Sequence, residues 1–294
     1  MMRNVSIFVD YDCDLPAEAK ERYDINVCEY SIRTGRGEFI IHQEISDRNL
    51  HEYMQEKDYK VQFYPPSPKE YAIKFSNSLA KGDTVLFFCS GPAFSEGFSS
   101  ARKAVEIIEK AGNDTSKLHI INTRNISIGY GMIVTICAEQ IEKGIPAENV
   151  AAMANQYIQR VRVRFLQVND ISPAVKNEAS ITEGIKYRLR RVNALRFFSS
   201  VIVENGIIAQ GKRYRGGQIL CCHNMLRNMM KSIDVSHESL YIVGSEFDQE
   251  ILEECKQYVL RYFDFKKVYL VRPNCANIES LGRKYLGVCI YSED

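Results

Sequence analysis

A transition from strand to helix is visible in the segment Val85-Leu-Phe-Phe-Cys-Ser-Gly-Pro-Ala-Phe-Ser-Glu-Gly-Phe-Ser-Ser-Ala101. The apolar run predicts a buried strand, and residues 101–111 predict an amphipathic helix. In an open α/β sheet, ligands bind in the crevice at the carboxyl ends of the strands. The start of the helix offers backbone N–H groups to an anion, and Ser95 and Ser99 add hydroxyl groups. The alternative interpretation is an ordinary capped turn between a strand and a helix.

The composition predicts a globular protein that, as a whole, is not a binder of polyanions. Of the 294 residues, 45% are hydrophobic and 26% are charged, and the formal net charge is +1. This length suits one large domain or two ordinary ones. No apolar run is long enough for a membrane span, and the first residues lack the apolar core of a signal peptide. These features predict a soluble, cytoplasmic protein.

The cysteines and histidines indicate neither a disulfide framework nor a metal site. The chain has nine cysteines without a Cys-x-x-Cys pair, and Cys89 and Cys289 lie in apolar runs typical of strands. We predict that they are buried free thiols in a reducing compartment. The five histidines are scattered, without the spacing of metal ligands. We therefore predict no metal and no cofactor.

Strands and helices alternate in the first half of the sequence. Strands are predicted at residues 5–10, 84–88 and 118–122, and helices at 46–55, 69–80, 99–111, 128–143 and 146–161. Asp14 is predicted to cap a helix that begins beside Pro16, and Arg33-Thr-Gly-Arg-Gly37 to form a hairpin turn. Strands at 25–32 and 38–42 flank that turn. The alternation predicts a three-layer α/β/α domain with a mainly parallel sheet, covered by helices on both faces.

The second half of the sequence predicts a different architecture. Residues 197–203 and 207–214 form a hairpin pattern around an Asn205-Gly206 turn. Helices are predicted at 217–232 and 248–262, and strands at 162–168, 240–244, 268–271 and 287–291. This order predicts a two-layer α+β domain with a mixed sheet and helices on one face. The predicted domains are residues 1–162 and 163–294.

Basic residues are concentrated in the segment from Arg160 to Lys231. It holds fourteen Lys and Arg residues but only four Asp and Glu residues. One interpretation is a docking surface for an anionic partner; a solvated basic surface is an equal alternative. Nucleic acid is not predicted as the partner, because no recognised binding motif accompanies the charge. The candidates for the docking contacts are Arg188, Arg190, Arg191, Lys212 and Arg213.

Five further segments follow one another along the chain: Val9-Asp-Tyr-Asp-Cys-Asp-Leu-Pro16, Tyr64-Pro-Pro-Ser-Pro68, Phe94-Ser-Glu-Gly-Phe-Ser-Ser-Ala101, Asn122-Thr-Arg-Asn-Ile-Ser-Ile-Gly-Tyr-Gly131 and Lys212-Arg-Tyr-Arg-Gly216. In this order they resemble motifs of the DegV family of bacterial lipid-binding proteins. The first is similar to the family's Asp-Ser-x-x-Asp-Leu-Pro turn, and the third to its Leu-Ser-Gly-Thr-Tyr-Gln-Ser-Ala loop. The resemblance extends over essentially the whole chain.

The resemblance implies the same two-domain fold and a binding function instead of catalysis. Family members hold one long-chain fatty acid between their domains, with its carboxylate near loops of the first domain. Some members present the fatty acid to a fatty acid kinase, which makes an acyl phosphate. We therefore expect a soluble lipid carrier, with a long-chain fatty acid or a related apolar ligand and a fatty acid kinase as its partners.

The resemblance also places candidate ligand-binding residues. The family's head-group Thr, Ser and His fall on Phe63, Ser95 and Ser280, of which only Ser95 keeps its type. The implied carboxylate clamp is therefore altered. A Gly-Gly-Arg turn of the family also becomes Asn177-Glu-Ala-Ser180.

Further candidates complete the predicted binding site. Ser127 is a candidate second donor, with a helix N-cap as the alternative. Phe94 and Phe63 are the predicted tunnel wall. Gly129 and Gly131 would let the backbone approach a ligand, or would instead allow the helix to pack on the sheet.

Two other classes of function stay open at this point. Asp10, Asp12 and Asp14 at a strand end could form a metal or acid–base site of an enzyme. However, successive positions of a strand or turn rarely converge, and no nucleophile–base pair or phosphate loop accompanies them. The second alternative is a ligand-free regulatory or protein-interaction module with the same fold.

Overall fold

The computed structural model describes residues 4–167, 197–204, 206–231, 233–245 and 249–293. The strands are β1 Val5–Asp10, β2 Asn26–Cys28, β3 Ser31–Thr34, β4 Gly37–Ile40, β5 Val61–Tyr64, β6 Thr84–Cys89, β7 Leu118–Asn122, β8 Val161–Gln167, β9 Phe197–Glu204, β10 Ile207–Arg215, β11 Ser239–Ser245, β12 Lys267–Val271 and β13 Tyr285–Tyr291. The helices are α1 Ala17–Arg22, α2 Asp47–Met54, α3 Pro68–Leu79, α4 Gly97–Lys110, α5 Ser127–Glu142, α6 Ala147–Arg160, α7 Gln218–Met230, α8 Gln249–Tyr262 and α9 Cys275–Leu281.

The first domain is built on four parallel strands in the order β2-β1-β6-β7. All six residues of β6 are buried, as expected for a central strand covered on both faces. Helices α3 and α4 pack on one face through an aromatic and aliphatic cluster that includes Phe75, Phe87 and Ile108. Helices α1, α5 and α6 contribute to the apolar cluster on the other face. The predicted three-layer domain is confirmed.

A small antiparallel sheet in the order β4-β3-β5 adjoins the first domain. The predicted hairpin turn is confirmed, because β3 pairs with β4 across Gly35 and Arg36. The single strand predicted at residues 25–32 is wrong: β2 joins the parallel sheet, whereas β3 joins the small one. The small sheet and α2 share a buried cluster with α9, which contains Cys275 and Ile278. This cluster joins the two halves of the chain.

The second domain contains a six-stranded mixed sheet in the order β10-β9-β8-β13-β11-β12. Its pairs are antiparallel except for β11 with β12, which are parallel. Helices α7 and α8 pack on one face around Leu226, Met225 and Val259. The predicted mixed sheet with helices on one face is confirmed. The predicted boundary after residue 162 stays a prediction; residues 162 and 163 both lie in β8, which follows α6 directly.

Helix α5 lies between the two large sheets and is apolar on all sides. Twelve of its sixteen residues are buried, and eight of these share one apolar cluster with residues of β1, β6, β8 and β13. Such a helix is stable only inside a core. The other face of the second sheet is thus covered by the first domain. Among the residues that the structure describes, no helix is long and apolar enough to cross a membrane.

Two local predictions need correction. Asp14 does not cap a helix: α1 begins at Ala17 after Pro16, and no side chain caps it. The Asp14 carboxylate accepts hydrogen bonds from more distant parts of the chain instead. Helix α9 was not predicted at all, although Asn274 caps it by accepting a hydrogen bond from the N–H of Asn277. Seven residues are too few for a clear periodic pattern.

The close contact between α5 and the turn after β1 predicts the effect of adding one methyl group. A Cβ on Gly131 would lie 2.0 Å from the carbonyl oxygen of Asp14. Gly131→Ala should therefore lower the free energy of unfolding by roughly 2–3 kcal/mol, although alanine normally favours a helix. Urea unfolding of both proteins measures the difference. Gly217→Ala is the control, because nothing lies within 4 Å of its added Cβ; equal stabilities of the two variants would contradict the packing described.

Candidate functional site at the end of the first strand

The turn that follows β1 separates a buried polar cluster from an open cleft. Asp10 and Asp12 face the carboxyl end of β6, where they are 0% and 7% exposed. Tyr11, Cys13 and Asp14 line the cleft instead. Parallel strands place their carboxyl ends at one edge of the sheet, which is the usual position for a ligand in this architecture. Both sides of the turn are therefore candidates for a binding site.

Ser95 lies at the edge of the buried polar cluster. Its Oγ is 2.9 Å from the Tyr30 hydroxyl oxygen, and it accepts a hydrogen bond of 3.1 Å from the N–H of Gly97. The Tyr30 hydroxyl in turn acts on the carboxyl group of Asp12, whose pKa it lowers. Ser95 is thus connected to Asp12 through one side chain.

Two carboxyl oxygens of the cluster, Oδ2 of Asp10 and Oδ1 of Asp12, are buried without a hydrogen-bond partner. The Ser90 hydroxyl instead acts on Asp12, whose pKa it lowers through a hydrogen bond. The other oxygen of Asp10 accepts from the Tyr71 hydroxyl. Gly97 packs so closely on Asp10 that an added Cβ would lie 2.2 Å from its Oδ2. Because buried polar atoms are normally paired, unpaired ones point to a missing partner or to a function.

The carboxyl groups of the cluster hold protons unusually tightly. Burial raises the pKa of Asp12 to about 6, against opposing effects of Ser90 and Tyr30. Burial, and then the charge of Asp12, also raise the pKa of Asp10 well above its usual range, while the hydrogen bond from Tyr71 lowers it. Removal from water disfavours the charged form of a carboxyl group. Among the residues that the structure describes, no Lys or Arg side chain is one of the groups that shift either pKa.

Asp14 connects three elements through four hydrogen bonds. Its carboxylate accepts from the Ser127 hydroxyl at 2.6 Å, from the Asn277 amide at 2.9 Å, and from both the backbone and side chain of Asn274 at 2.8 and 2.7 Å. Burial still raises the pKa of Asp14 to about 7, although these donors oppose the shift. Ser127, at φ 52°, begins α5 in the left-handed region. This network fixes the turn after β1 against α5 and α9.

The open cleft has a volume of about 620 Å³ and lies between the two domains. Residues after β1 line one side, and residues at the carboxyl ends of β11 and β12, among them Ser245 and Arg272, line the other. At its mouth, His42 contacts Asp47 at 2.7 Å and Glu29 at 3.0 Å. Burial lowers the His42 pKa, but hydrogen bonds to these two carboxylates outweigh burial and raise it. Clefts of this size accept small molecules.

The predicted ligand-binding residues lie around this region, but none of the seven lines the cleft. The Phe63 ring stacks on Tyr11 at 6.4 Å between centroids, and Phe94 is half-buried against the core of α5. Ser280 is exposed on α9. An added Cβ on Gly129 would meet Asn125 at 2.6 Å, and Gly131 packs on Asp14. Both glycines are thus occupied by packing, and a role at a ligand stays a prediction.

Some predicted residues lie elsewhere. Lys212 and Arg213 are exposed on β10. Arg188, Arg190, Arg191 and the segment Asn177–Ser180 lie outside the described residues. Tyr11, Tyr30 and Ser90 were not predicted as site residues. Tyr11 and Ser90 directly follow β1 and β6, and that position was an available signal, since residues at carboxyl strand ends meet at one edge of a parallel sheet.

Asp10, Asp12 and Asp14 were candidates for a metal site in the sequence. Within the described ranges, no group of three or more His, Cys, Asp or Glu side chains is placed to hold a metal ion. Asp10 and Asp12 point to the buried side of the turn and Asp14 to the other, so the three carboxylates do not converge.

Two-domain α/β proteins with a three-layer domain and a mixed-sheet domain form the class to which this fold corresponds. A family model described as an uncharacterised protein of the DegV family matches residues 4–176. The chain therefore belongs to the DegV family, as its motifs indicated. A DegV domain-containing protein of Clostridium perfringens is 25% identical over 161 residues, which are 55% of this chain and 56% of that protein. The match thus spans about half the length of this curated relative.

Solved structures of DegV proteins share the fold over nearly the whole chain. A DegV family protein of Thermus thermophilus, described by its fatty acid binding, is 18% identical with a TM-score of 0.77, covering 98% of this chain and 99% of its own. A stearic acid-binding protein of Eubacterium ventriosum is 16% identical with a TM-score of 0.79, covering 98% of both chains. The fatty acid kinase B3 protein of Streptococcus pneumoniae, loaded with linoleic acid, is 15% identical with a TM-score of 0.77 and covers 99% of this chain and 100% of its own.

Substitution by asparagine should change the free energy of unfolding in opposite directions at Asp12 and at Asp14. The folded pKa of Asp12, about 6, exceeds its ordinary value of 3.8, so its contribution to stability is largest below about pH 4 and is lost as pH rises through 6. Asp12→Asn should therefore raise the free energy of unfolding near pH 7, by about 3 kcal/mol at most. Thermal and urea unfolding between about pH 4 and pH 8 measure the change.

Asp14→Asn is the matched comparison. Its oxygens accept four hydrogen bonds. An asparagine at this position would place its own N–H group opposite at least one of these donors. The variant should lose about 1–3 kcal/mol near pH 7. If both variants shifted the unfolding free energy in the same direction, the assigned difference between the two carboxylates would be wrong.

Proposed function

We propose that the protein is a lipid carrier that holds a long-chain acyl ligand, with the head group beside Ser95. The main support is the likeness over nearly the full chain to the structures of a stearic acid-binding protein and of a protein loaded with linoleic acid. Ser95 carries the hydroxyl group expected at the family's head-group position, and it adjoins a cluster of buried, unpaired oxygens. The acyl chain provides most of the binding free energy, at about 0.8 kcal/mol per buried CH₂ group.

The ligand chain would lie in the crevice between the domains, with Phe63 and Phe94 as apolar neighbours. Phe63 stacks on Tyr11, whose ring lines the cleft, and Tyr11 contacts Tyr30, the hydrogen-bond partner of Ser95. Ser127 would act on the ligand only through Asp14, because its hydroxyl group already donates to that carboxylate. The hypothesis of a second direct donor at Ser127 is therefore the weaker one.

We propose a binding function without catalysis, in the cytoplasm. All nine cysteines are free thiols, as is usual in a reducing compartment. A fatty acid kinase is the proposed protein partner, by analogy with the Streptococcus pneumoniae relative of that name. Exposed Lys212 and Arg213 on β10 are the described candidates for an anionic partner surface. A ligand-free regulatory module is the competing hypothesis.

Native mass spectrometry of the purified protein separates these hypotheses. We expect a bound mass in the range of long-chain lipids, which solvent extraction removes and gas chromatography identifies. Delipidated protein should then gain thermal stability with acyl compounds, and the gain should rise with chain length because each added methylene buries more apolar surface. Should no acyl compound of any length or head group raise the melting temperature, the carrier hypothesis fails.

Ser95→Ala tests the position of the head group. One neutral hydrogen bond is worth about 0.5–1.5 kcal/mol, so the substitution should weaken ligand binding only several-fold. Isothermal titration against the extracted lipid measures the change. Ser99→Ala is the control, because that hydroxyl group donates to the Glu96 carbonyl on the exposed side of the loop. Equal effects of the two substitutions would move the head group away from Ser95.

A further inference from the structure

We propose that the open cleft between the domains binds the phosphoryl group of a small phosphate monoester, held by Lys20, Arg272 and Ser245. The inference does not depend on the proposed lipid carrier, because neither Ser95 nor any other predicted lipid contact lines this cleft. It follows from two cationic side chains without partners and one buried hydroxyl group that line the cleft together.

The cleft lies at the carboxyl ends of parallel strands from both domains. Residues that follow β1 line one wall, Ser245 at the end of β11 lines the other, and Arg272 directly follows β12. Strands β11 and β12 pair in parallel, as do β1 and β6. Such strand ends are the usual position of a ligand in open α/β sheets. The volume of about 620 Å³ is large enough for an organic phosphate.

Two cations of the cleft have no anionic partner. Lys20 on α1 and Arg272 after β12 are both exposed, and within the described ranges neither side chain makes an ion pair or a hydrogen bond. Burial and the nearby aspartates raise the pKa of Cys13, and the charge of Lys20 opposes this shift. Because Cys13 lines the cleft, the field of Lys20 extends into it. Cations that line a concave site attract an anion.

The carboxylates of the cleft are already engaged. Asp47 contacts His42 at 2.7 Å, and Glu52 pairs with Arg48 at 3.1 Å. The Asp14 carboxylate accepts four hydrogen bonds within the protein. The two unpaired cations are therefore left for a ligand. A phosphate monoester carries a charge of about −1.5 to −2 at pH 7 and balances both of them, whereas a carboxylate balances only one.

Ser245 contributes a hydroxyl group that is not used elsewhere. The residue is 2% exposed, and its Oγ has no hydrogen-bond partner among the described residues. Val243, two positions earlier on β11, packs in the cluster around α5. Side chains two positions apart on a strand point to the same face, so Ser245 points to the side of the sheet where the cleft lies. Because buried hydroxyl groups are normally paired, this one indicates a missing ligand atom.

The other lining residues favour an organic phosphate over the free ion. A guanidinium fork, an ammonium group and a hydroxyl group are suitable donors for phosphate oxygens. Leu15, Val27 and Ile278 also line the cleft and offer apolar surface to the body of a ligand. The space left beside a single phosphate group would be occupied by that body.

Isothermal titration of the full-length protein with phenyl phosphate, benzoate and inorganic phosphate tests this ligand class. At about pH 8 a phosphate monoester is a dianion, while Lys and Arg remain charged. Phenyl phosphate should bind at least about tenfold more tightly than benzoate, which has the same ring but one charge less. It should also bind more tightly than inorganic phosphate, because its ring contacts the apolar lining. Benzoate or inorganic phosphate that binds as tightly as phenyl phosphate would overturn the assigned class.

Substitutions locate the site. Arg272→Gln and Lys20→Gln should each weaken the binding of phenyl phosphate about tenfold, because each removes one charge-assisted hydrogen bond. Ser245→Ala should weaken it several-fold and leave the melting temperature of the ligand-free protein unchanged, since its Oγ has no partner to lose. Arg102→Gln is the matched control, because Arg102 is exposed on α4 and does not line the cleft. An equal loss of affinity in Arg102→Gln and Arg272→Gln would overturn the site, because net charge alone would then explain the binding.

Competition with myristate separates this site from the lipid carrier. Myristate should not displace phenyl phosphate, because the predicted lipid contacts lie outside the cleft. Displacement would make the cleft part of the lipid site and overturn a separate phosphate site. If phenyl phosphate does not bind the wild-type protein at all, the inference fails and the carrier function is unaffected.

Discussion

The burial of α5 between two sheets is the constraint on which the rest of the structure depends. This helix has no polar face to turn toward water, so it must be covered by both domains. The first sheet covers it through β1 and β6, and the second through β8, β11 and β13. Its position is fixed at the start by the hydrogen bond from Ser127 to Asp14. The turn after β1, which carries the candidate site, is therefore fixed in position by the core that joins the two domains.

This arrangement explains why a polar site can persist in a buried place. The conformation of the turn is determined by Asp14, whose four hydrogen bonds are all satisfied within the protein. Asp10 and Asp12 do not stabilise the turn in this way. Each has a buried oxygen without a hydrogen-bond partner, which lowers stability. Unsatisfied groups that a rigid frame maintains are typical of functional sites. Asp14 thus has a structural role, because its carboxylate is fully hydrogen-bonded, whereas Asp12 keeps an unpaired oxygen.

Much of this fold could be predicted from hydrophobic patterns. The buried run of β6, the amphipathic α4 and the antiparallel pair of β9 and β10 have strong local signals, and each corresponds to the structure. Helix α9 was missed because it is short, and the division of residues 25–32 between two sheets depends on long-range pairing. At the site, Ser95 could be found from a motif. Tyr30 could not, because its role arises from contacts with Ser95 and Asp12, which are distant in sequence.

The direct passage from α6 into β8 has a mechanical consequence. Helix α6 ends at Arg160 and β8 begins at Val161, so no linker exists at which one domain could swing away from the other. A hinge motion between the domains would also expose to water the apolar surface that is buried around α5. In the proposed carrier, ligand exchange would therefore require displacement of individual loops while the two domains stay packed together. The rate of ligand exchange would then depend on loop opening and not on rotation of the domains.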